Sequence, residues 1–267
     1  MKKIFLVAIT VFAVFTAMAQ HDSTGMRKKK KEERRERINA IIRQEEEGVI
    51  KYKKHLAFGF KLTNDGYGGF VEVARAQSVR RSLLFQLDIS ERKHPKEEKR
   101  ESEIYAGTSP FIYGKINYFY PIRLGVQQQF LLGNKGNKNG VSISGNIGGG
   151  LSLGLLRPYL VEVDTTGFQD FVYVGYDSPD SALFLNSGLI AGGPNLGTGW
   201  KNLKLTPGAY VKAGLRFDYG KYNEMLTAVE VGLSAEFYSK KIPQMIYQKQ
   251  DRFFVAAYVA LVFGRRK

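Results

Sequence analysis

The chain of 267 residues contains no cysteine. Disulfides, thiolate metal ligands and a lipidated N-terminal cysteine are therefore all excluded. Histidine is nearly absent too, with three residues, His21, His55 and His94, scattered along the chain. A metal site needs clustered His, Cys or carboxylate ligands, so no metal and no cofactor is expected. Beyond the first fifteen or so residues there is no apolar run of ~18, the length that marks a transmembrane helix. Proline is sparse, with eight residues, and it avoids the middle of every segment that alternates like a strand. Pro121 and Pro207 lie near the starts of such segments and Pro243 in a loop, where a missing N–H breaks no ladder. Carboxylates are also short, 25 against 40 Lys and Arg, a formal charge of +15.

What is present begins with "MKKIFLVAITVFAVFTAMAQ". Lys2 and Lys3 precede an apolar stretch from Ile4 to about Phe15, and Ala17-Met18-Ala19 supplies a small-x-small cleavage pattern. Residues 1–19 are expected to be an export signal, cut after Ala19. The apolar stretch falls short of the ~20 residues of a spanning helix. Export sets aside nucleic acid, the usual partner of so basic a chain. Anionic lipid headgroups or an acidic protein fit the charge better.

Residues 20–54 form a charged arm that includes "RKKKKEERRER". Glu33 and Arg37 stand one turn apart, with Ile38, Ile41 and Ile42 on one side, which predicts a helix with a thin apolar stripe ending near Gly48. The arm has too few apolar residues for a core of its own. From residue 55 to 267 the pattern changes to strict alternation. "LAFGFKLT" places Leu56, Phe58, Phe60 and Leu62 opposite Ala57, Gly59, Lys61 and Thr63, and Asn64-Asp65-Gly66 then signals a hairpin. "SLLFQLDIS" repeats the pattern. So does "VSISGNIGGGLSLG", where Val141, Ile143, Ile147, Leu151 and Leu153 oppose Ser142, Ser144, Asn146, Gly148, Gly150, Ser152 and Gly154.

About eight such strands follow one another, with ten as the alternative count. Their connections alternate between short turns ("QSVRR", "GNKGNKNG", "GKYNEM") and long loops at about 92–117, 157–204 and 240–251. Short inner turns, long outer loops and an even strand number are the layout of an up-and-down antiparallel transmembrane β-barrel.

Alternation by itself leaves a soluble ligand-binding barrel open, with the greasy face inward. Three features favour lipid on the greasy side. The small face of Val141–Gly154 carries no charge, unlike a strand face turned to water. Aromatics gather near strand ends (Tyr118, Phe119, Tyr120, Phe217, Tyr219, Phe237, Tyr238, Phe253, Phe263), as interface girdles do. The strands are also long enough to cross the ~25 Å apolar band. Parity then sends Lys61, Glu72, Gln86, Asp88, Arg123, Gln127, Gln129, Lys212, Arg216, Asp218, Glu230 and Glu236 into the interior. The charged members of that set, Lys61, Glu72, Asp88, Arg123, Lys212, Arg216, Asp218, Glu230 and Glu236, are the candidate site: a polar network that must pair or reach water.

"YGKINYFYPIRLG" (Tyr113–Gly125) and "GGGLSLGLLRPY" (Gly148–Tyr159) resemble segments of the small outer-membrane β-barrels of Gram-negative bacteria, in particular those of the Bacteroidota group. The resemblance spans about His55 to Phe263 and implies the outer membrane as location. It also implies that Phe263 is the terminal aromatic read by the barrel-assembly machinery, although Gly264–Lys267 follow it.

Other motifs carry no chemistry. "GNKGNKNG" lacks the Gly-Lys-Ser/Thr ending of a phosphate loop and reads as a turn. Gly150-x-x-x-Gly154 loses its helix-packing meaning in a strand. His94 with Ser102 or Ser109 is the sole combination that suggests acyl transfer, and its spacing gives no support to a lipid A-modifying enzyme. No enzyme is expected. The expected role is structural or interaction-based: an outer-membrane barrel in contact with lipid, serving an envelope complex for secretion or barrel assembly. Its arm, about residues 27–54, is the periplasmic contact. A small pore is the alternative.

Overall fold

The structure is a computed structural model that describes residues 31–36, 38–39, 53–78, 80–105, 107–135, 140–167, 170–179, 181–195, 197–220 and 224–267. The expected export signal, Ile41, Ile42 and Gly48 lie outside the described residues. Of the arm, residues 31–36 and 38–39 are helical. The chain divides into two units, residues 1–51 and 52–267, and the second holds all the described strands.

Thirteen strands are described: β1 (Lys54–Thr63), β2 (Gly66–Ser78), β3 (Arg81–Arg92), β4 (Lys99–Arg100), β5 (Phe111–Ile112), β6 (Asn117–Gly133), β7 (Ser142–Pro158), β8 (Leu160–Asp164), β9 (Phe171–Gly175), β10 (Ile190–Gly192), β11 (Lys204–Asp218), β12 (Met225–Ile242) and β13 (Asp251–Arg266). Eight of them close into an antiparallel barrel in the order β1-β13-β12-β11-β7-β6-β3-β2. The count of ten is thereby set aside. Closure pairs the first strand with the last, from His55↔Arg266 to Thr63↔Tyr258, so neither edge is left open.

Prolines sit where the ladder can spare a donor. On the β3 side of β6 the register holds Ile89↔Ile122 and Arg92↔Phe119, and Pro121 falls in the gap between them. Pro207 lies one residue before the β11–β12 ladder begins at Gly208↔Tyr238. The turn Asn64-Asp65 joins β1 to β2 in two residues.

Alternation becomes two opposed surfaces. In β1 the outward Leu56, Phe58, Phe60 and Leu62 are 52–69% exposed, while His55, Ala57 and Lys61 are at most 5% exposed. In β7, Ile147 and Leu151 are exposed and Ser144, Asn146 and Ser152 buried. Apolar outside and charged inside cannot be stable in water. It is the arrangement of a barrel whose solvent is hydrocarbon.

The small residues make room for tyrosines. Gly125, Gly150 and Tyr210 lie side by side across β6, β7 and β11. A Cβ on Gly125 would stand 2.5 Å from the Tyr210 hydroxyl oxygen. Across β11, β12 and β13 the row Gly214, Gly232, Tyr258 repeats the device, with 2.6 Å from Gly214 to the Tyr258 hydroxyl. Bulky rings thus lie flat over bare backbone, and an eight-stranded barrel becomes full.

The long connections are not loose loops. The strands β8, β9 and β10 form a second sheet in the order β10-β8-β9, and β4 pairs with β5. Together with the short helix Ser181–Leu185 they enclose an apolar core of Phe111, Ile112, Tyr159, Val161, Val163, Val174, Phe184, Ile190 and Met245. Backbone bonds tie the three long connections together: Ile116 N to Gln244 O at 2.8 Å, Tyr159 N to Ile116 O at 2.8 Å and Gly193 N to Ser109 O at 2.9 Å. The result is a folded cap at the end of the barrel opposite Lys54 and Arg266.

Candidate functional site: the charged barrel interior

Interior side chains form two linked charge clusters. In the first, Arg216 of β11 reaches across the bore to Glu72 of β2, with Nη1 to Oε1 at 2.5 Å and Nη2 to Oε2 at 2.8 Å. The same guanidinium donates from Nε to Glu230 Oε2 at 2.8 Å. Glu230 is ringed by further donors: Asn146 at 2.8 Å, the Tyr258 hydroxyl at 2.7 Å and Lys212 at 3.1 Å. His55 Nε2 stands 3.3 Å from Glu72. Lys212 also donates to Gln86 Oε1 at 3.0 Å, and Gln86 accepts from Gln127 as well.

The second cluster is centred on Arg123 of β6. It donates to Glu236 at 2.6 Å, Asp88 at 2.6 Å and the Ser90 hydroxyl at 2.5 Å. Lys61 completes Asp88 at 2.5 Å. The Tyr238 hydroxyl donates to Glu236 at 2.6 Å, and Arg92 joins Glu236 at 3.0 Å to Asp65 at 2.6 Å. Five cations (Lys61, Arg92, Arg123, Lys212, Arg216) thus meet five carboxylates (Asp65, Glu72, Asp88, Glu230, Glu236). Each of these charges has an opposite partner, the condition for retaining charge in a barrel surrounded by lipid, while Arg92 Nη1, Arg123 Nε and Gln86 Nε2 are buried with no hydrogen-bond partner.

Apolar layers adjoin the network. Toward the cap these are Phe119, Leu156, Tyr238 and Ile242, with Phe254 against them. Arg92 lies over the Phe254 ring at 4.9 Å. Toward the other end Ala57, Leu226, Ala228 and Val262 pack together with Phe70 and Tyr258. The charged middle of the bore is flanked by apolar layers, and polar groups return at the Lys54 end, where Asp218 pairs with Arg266.

Of the nine candidate residues, eight lie in these clusters. Asp218 lies apart, near the Lys54 end, bound to Arg266 at 2.5 Å and facing Lys135 at 3.6 Å. Sequence reasoning missed Arg92, His55, Asn146, Ser90, Tyr238 and Tyr258. The signal for Arg92 is present in the pattern: continuing β3 in steps of two from Ser82 through Asp88 reaches it, although its charge places it with the loop that follows. Tyr238 and Phe119, expected among the girdle aromatics, are corrected by the structure, since both are fully buried and face the bore. Tyr118, Tyr120 and Trp200 do cluster at the cap end, with ring centroids 6.2 and 5.8 Å apart, and Arg157 lies over the Tyr118 ring at 4.1 Å.

In the cap, Lys115 is buried against Glu97 at 2.6 Å and over the Tyr118 ring at 4.3 Å. Burial holds its ammonium below the usual lysine range, and Glu97 opposes that shift. His94 Nδ1 accepts from the Lys96 amide at 3.2 Å, and the Ser102 hydroxyl donates to Ile190 O at 3.0 Å. These two groups are engaged in holding turns. No group of three or more metal-ligating residues occurs among the described residues.

A closed eight-stranded barrel with a lipid-facing exterior, short turns at one end and a large structure at the other is an outer-membrane β-barrel. Solved structures of that class are similar in outline. The N-terminal β-barrel domain of Pseudomonas aeruginosa OprF is 10% identical, over 80% of this chain and 99% of that one, with a TM-score of 0.35. Ail, the attachment invasion locus protein of Yersinia pestis, solved with the heparin analogue sucrose octasulfate, is 10% identical over 80% and 96%, at 0.34. A major outer membrane protein from Thermus thermophilus is 8% identical over 82% and 100%, at 0.44. No protein-family model and no curated protein matches the chain.

Proposed function

We propose that this barrel is a structural and interaction protein of the outer membrane, a sealed anchor that presents folded surfaces rather than a conduit. The observation that carries this reading is the interior itself. Five buried cations are met by five carboxylates, tyrosines lie across glycine lanes, and apolar layers adjoin the charges. A transport pathway needs mobile water and a field that attracts its cargo, whereas a neutralised network locks the strands together.

Function then falls to what lies outside the bore. On the outer side the cap offers a sheet whose β9 leaves Phe171 and Val172 more than 40% exposed. On the periplasmic side the charged arm, residues 27–54, is the contact for an envelope complex of the secretion or barrel-assembly kind. The two segments that resemble Bacteroidota barrels, Tyr113–Gly125 and Gly148–Tyr159, run along neighbouring β6 and β7 up to the cap, so the resemblance rests on the barrel-to-cap junction.

Planar-bilayer recording on purified protein tests the sealed bore: no defined conductance is expected, and steady unitary currents would overturn it. Deletion of residues 27–54 tests the partner. Loss of co-purifying envelope proteins is expected, and an unchanged set removes the arm from the proposal.

A further inference from the structure

The exterior of the barrel ends differently at its two rims. At the cap rim three exposed cations are paired with carboxylates, Lys204 with Asp177, Lys249 with Asp251 and Arg100 with Glu98, while Lys240, Lys241 and Arg252 are exposed with no carboxylate partner among the described residues. At the opposite rim four outward cations continue the apolar rows of four adjacent strands. Lys54 follows Leu56, Phe58 and Phe60 on β1, and Arg75 follows Val71 and Val73 on β2. Arg81 precedes Leu83 and Phe85 on β3, and Arg265 follows Leu261 and Phe263 on β13. All four are exposed, and the strands run side by side as β13-β1-β2-β3.

Register brings these charges together. Lys54 is directly opposite Arg75 across β1 and β2. Leu56, two residues on, faces Arg265 on β13. Arg75 in turn faces Leu83 on β3, the next outward position after Arg81. Arg81 is steadied by lying over the Phe130 ring at 5.7 Å. None of the four has a carboxylate partner among the described residues, and Asp218 nearby is taken by Arg266 and Lys135. Like charges directly opposite in a sheet repel. A row of them, kept at the height where an apolar band gives way to water, calls for an anion at that height. The molecules already lining the band are lipids.

We propose that Lys54, Arg75, Arg81 and Arg265 form a collar that binds the phosphate headgroup of an anionic phospholipid in the periplasmic leaflet. The acyl chains would lie along Leu56, Phe58, Val73 and Leu83, which are outward on the same strands. The choice of leaflet follows from the position of the collar, at the end where β1 begins and β13 finishes, the inner end of barrels of this class. Each basic side chain near an anionic membrane surface contributes roughly fivefold in affinity. The proposal requires the lipid-facing exterior and is independent of the cap, the bore and any protein partner.

The test is lipid retention by the full chain, purified from mixed micelles containing equal phosphatidylglycerol and phosphatidylcholine and measured by native mass spectrometry. Wild type is expected to keep phosphatidylglycerol at least about tenfold over phosphatidylcholine, and Lys54→Gln/Arg75→Gln/Arg81→Gln/Arg265→Gln is expected to lose the preference. Gel mobility before and after heating verifies that this variant still folds. Single substitutions serve if it does not. Equal retention of both lipids by wild type overturns the proposal. So does a preference that survives in the variant, which would move the lipid elsewhere.

Discussion

The barrel and its cap are built on opposite principles. Inside the barrel, the largest fully buried side chain is Arg216, and the groups around it are Glu72, Glu230 and Lys212. Inside the cap, the buried groups are Phe184, Val163, Ile190 and Tyr159, with one buried lysine at the margin. The same chain therefore places charge at the centre of one region and hydrocarbon at the centre of the other. The difference follows from what surrounds each. Lipid outside leaves no hydrophobic gain in an apolar bore, so closure of the backbone ladder and charge pairing hold the barrel. Water outside the cap restores the ordinary hydrophobic core.

The comparison is broken most severely at Arg216. Arg216→Met leaves Glu72 and Glu230 facing each other without their shared cation, and breaking a buried pair in this way costs about 3–5 kcal/mol. The heat-induced gel shift of the folded barrel should move to a lower temperature. The quadruple variant Arg216→Met/Lys212→Met/Glu72→Gln/Glu230→Gln should recover most of the loss, since replacing a whole buried network is close to neutral, Lys212 being included because it pairs with Glu230. In the cap, Phe184→Ala should cost about 3–4 kcal/mol through the cavity left among Tyr176, Val163 and Ile190. Its signature is separate: protease cleavage within residues 159–203 while the barrel still shows its gel shift.

Smaller, and decisive about which solvent each face sees, is Leu151→Arg. Leu151 is 72% exposed near the middle of β7. In water such a change is almost free, whereas at the midplane of a bilayer it costs about 2–4 kcal/mol. Equilibrium unfolding from bilayers reads the difference directly. An unchanged unfolding midpoint would reverse the assignment of faces.

The fold was legible where period two is strict. Leu56–Leu62, Leu83–Ile89 and Val141–Gly154 each announce a strand, and their small faces announce a narrow bore. Charge position along these and the other alternating strands placed Lys61, Glu72, Arg123, Arg216 and Glu230 inside by parity alone. What parity could not give was partnership: that Arg216 spans from β11 to β2 is a property of barrel closure, which unites residues 144 positions apart. Arg92 and Tyr238 were misplaced at strand ends, because a strand's last turns look like loop when charged and like girdle when aromatic. Of the cap, only the hairpin of β8 and β9 was legible, in "YLVEVDTTGFQDFVYVGY", and the rest was hidden for another reason. Its apolar residues come in short pieces from three separate connections, Phe111 and Ile112, Val161 and Val163, Phe184, Met245, none long enough to show a period.

The mildest effect should come from pH, and it separates cap from bore once more. His94 sits in the turn between β3 and β4, and burial holds its imidazole below the ordinary value of 6.5. Lys96 and Lys115 add to that depression, and Glu97 and Asp251 oppose it. Its Nδ1 accepts the Lys96 amide, so a proton there removes an acceptor from the turn. A histidine whose folded value is depressed binds its proton more tightly when the turn opens. The turn therefore has its full stability above 6.5 and loses it as pH falls through the folded value. Hydrogen exchange at the Lys96 amide, corrected for its intrinsic rate, should become roughly a few-fold less protected between pH 7.5 and pH 5. His94→Asn retains a side-chain acceptor for the turn and does not titrate, so its profile should be flat. Amides of β7 and β11 in the bore wall should not respond over the same range in either protein. Should His94→Asn lose protection in parallel with wild type, the sensitivity belongs to the Lys115–Glu97 pair behind the turn.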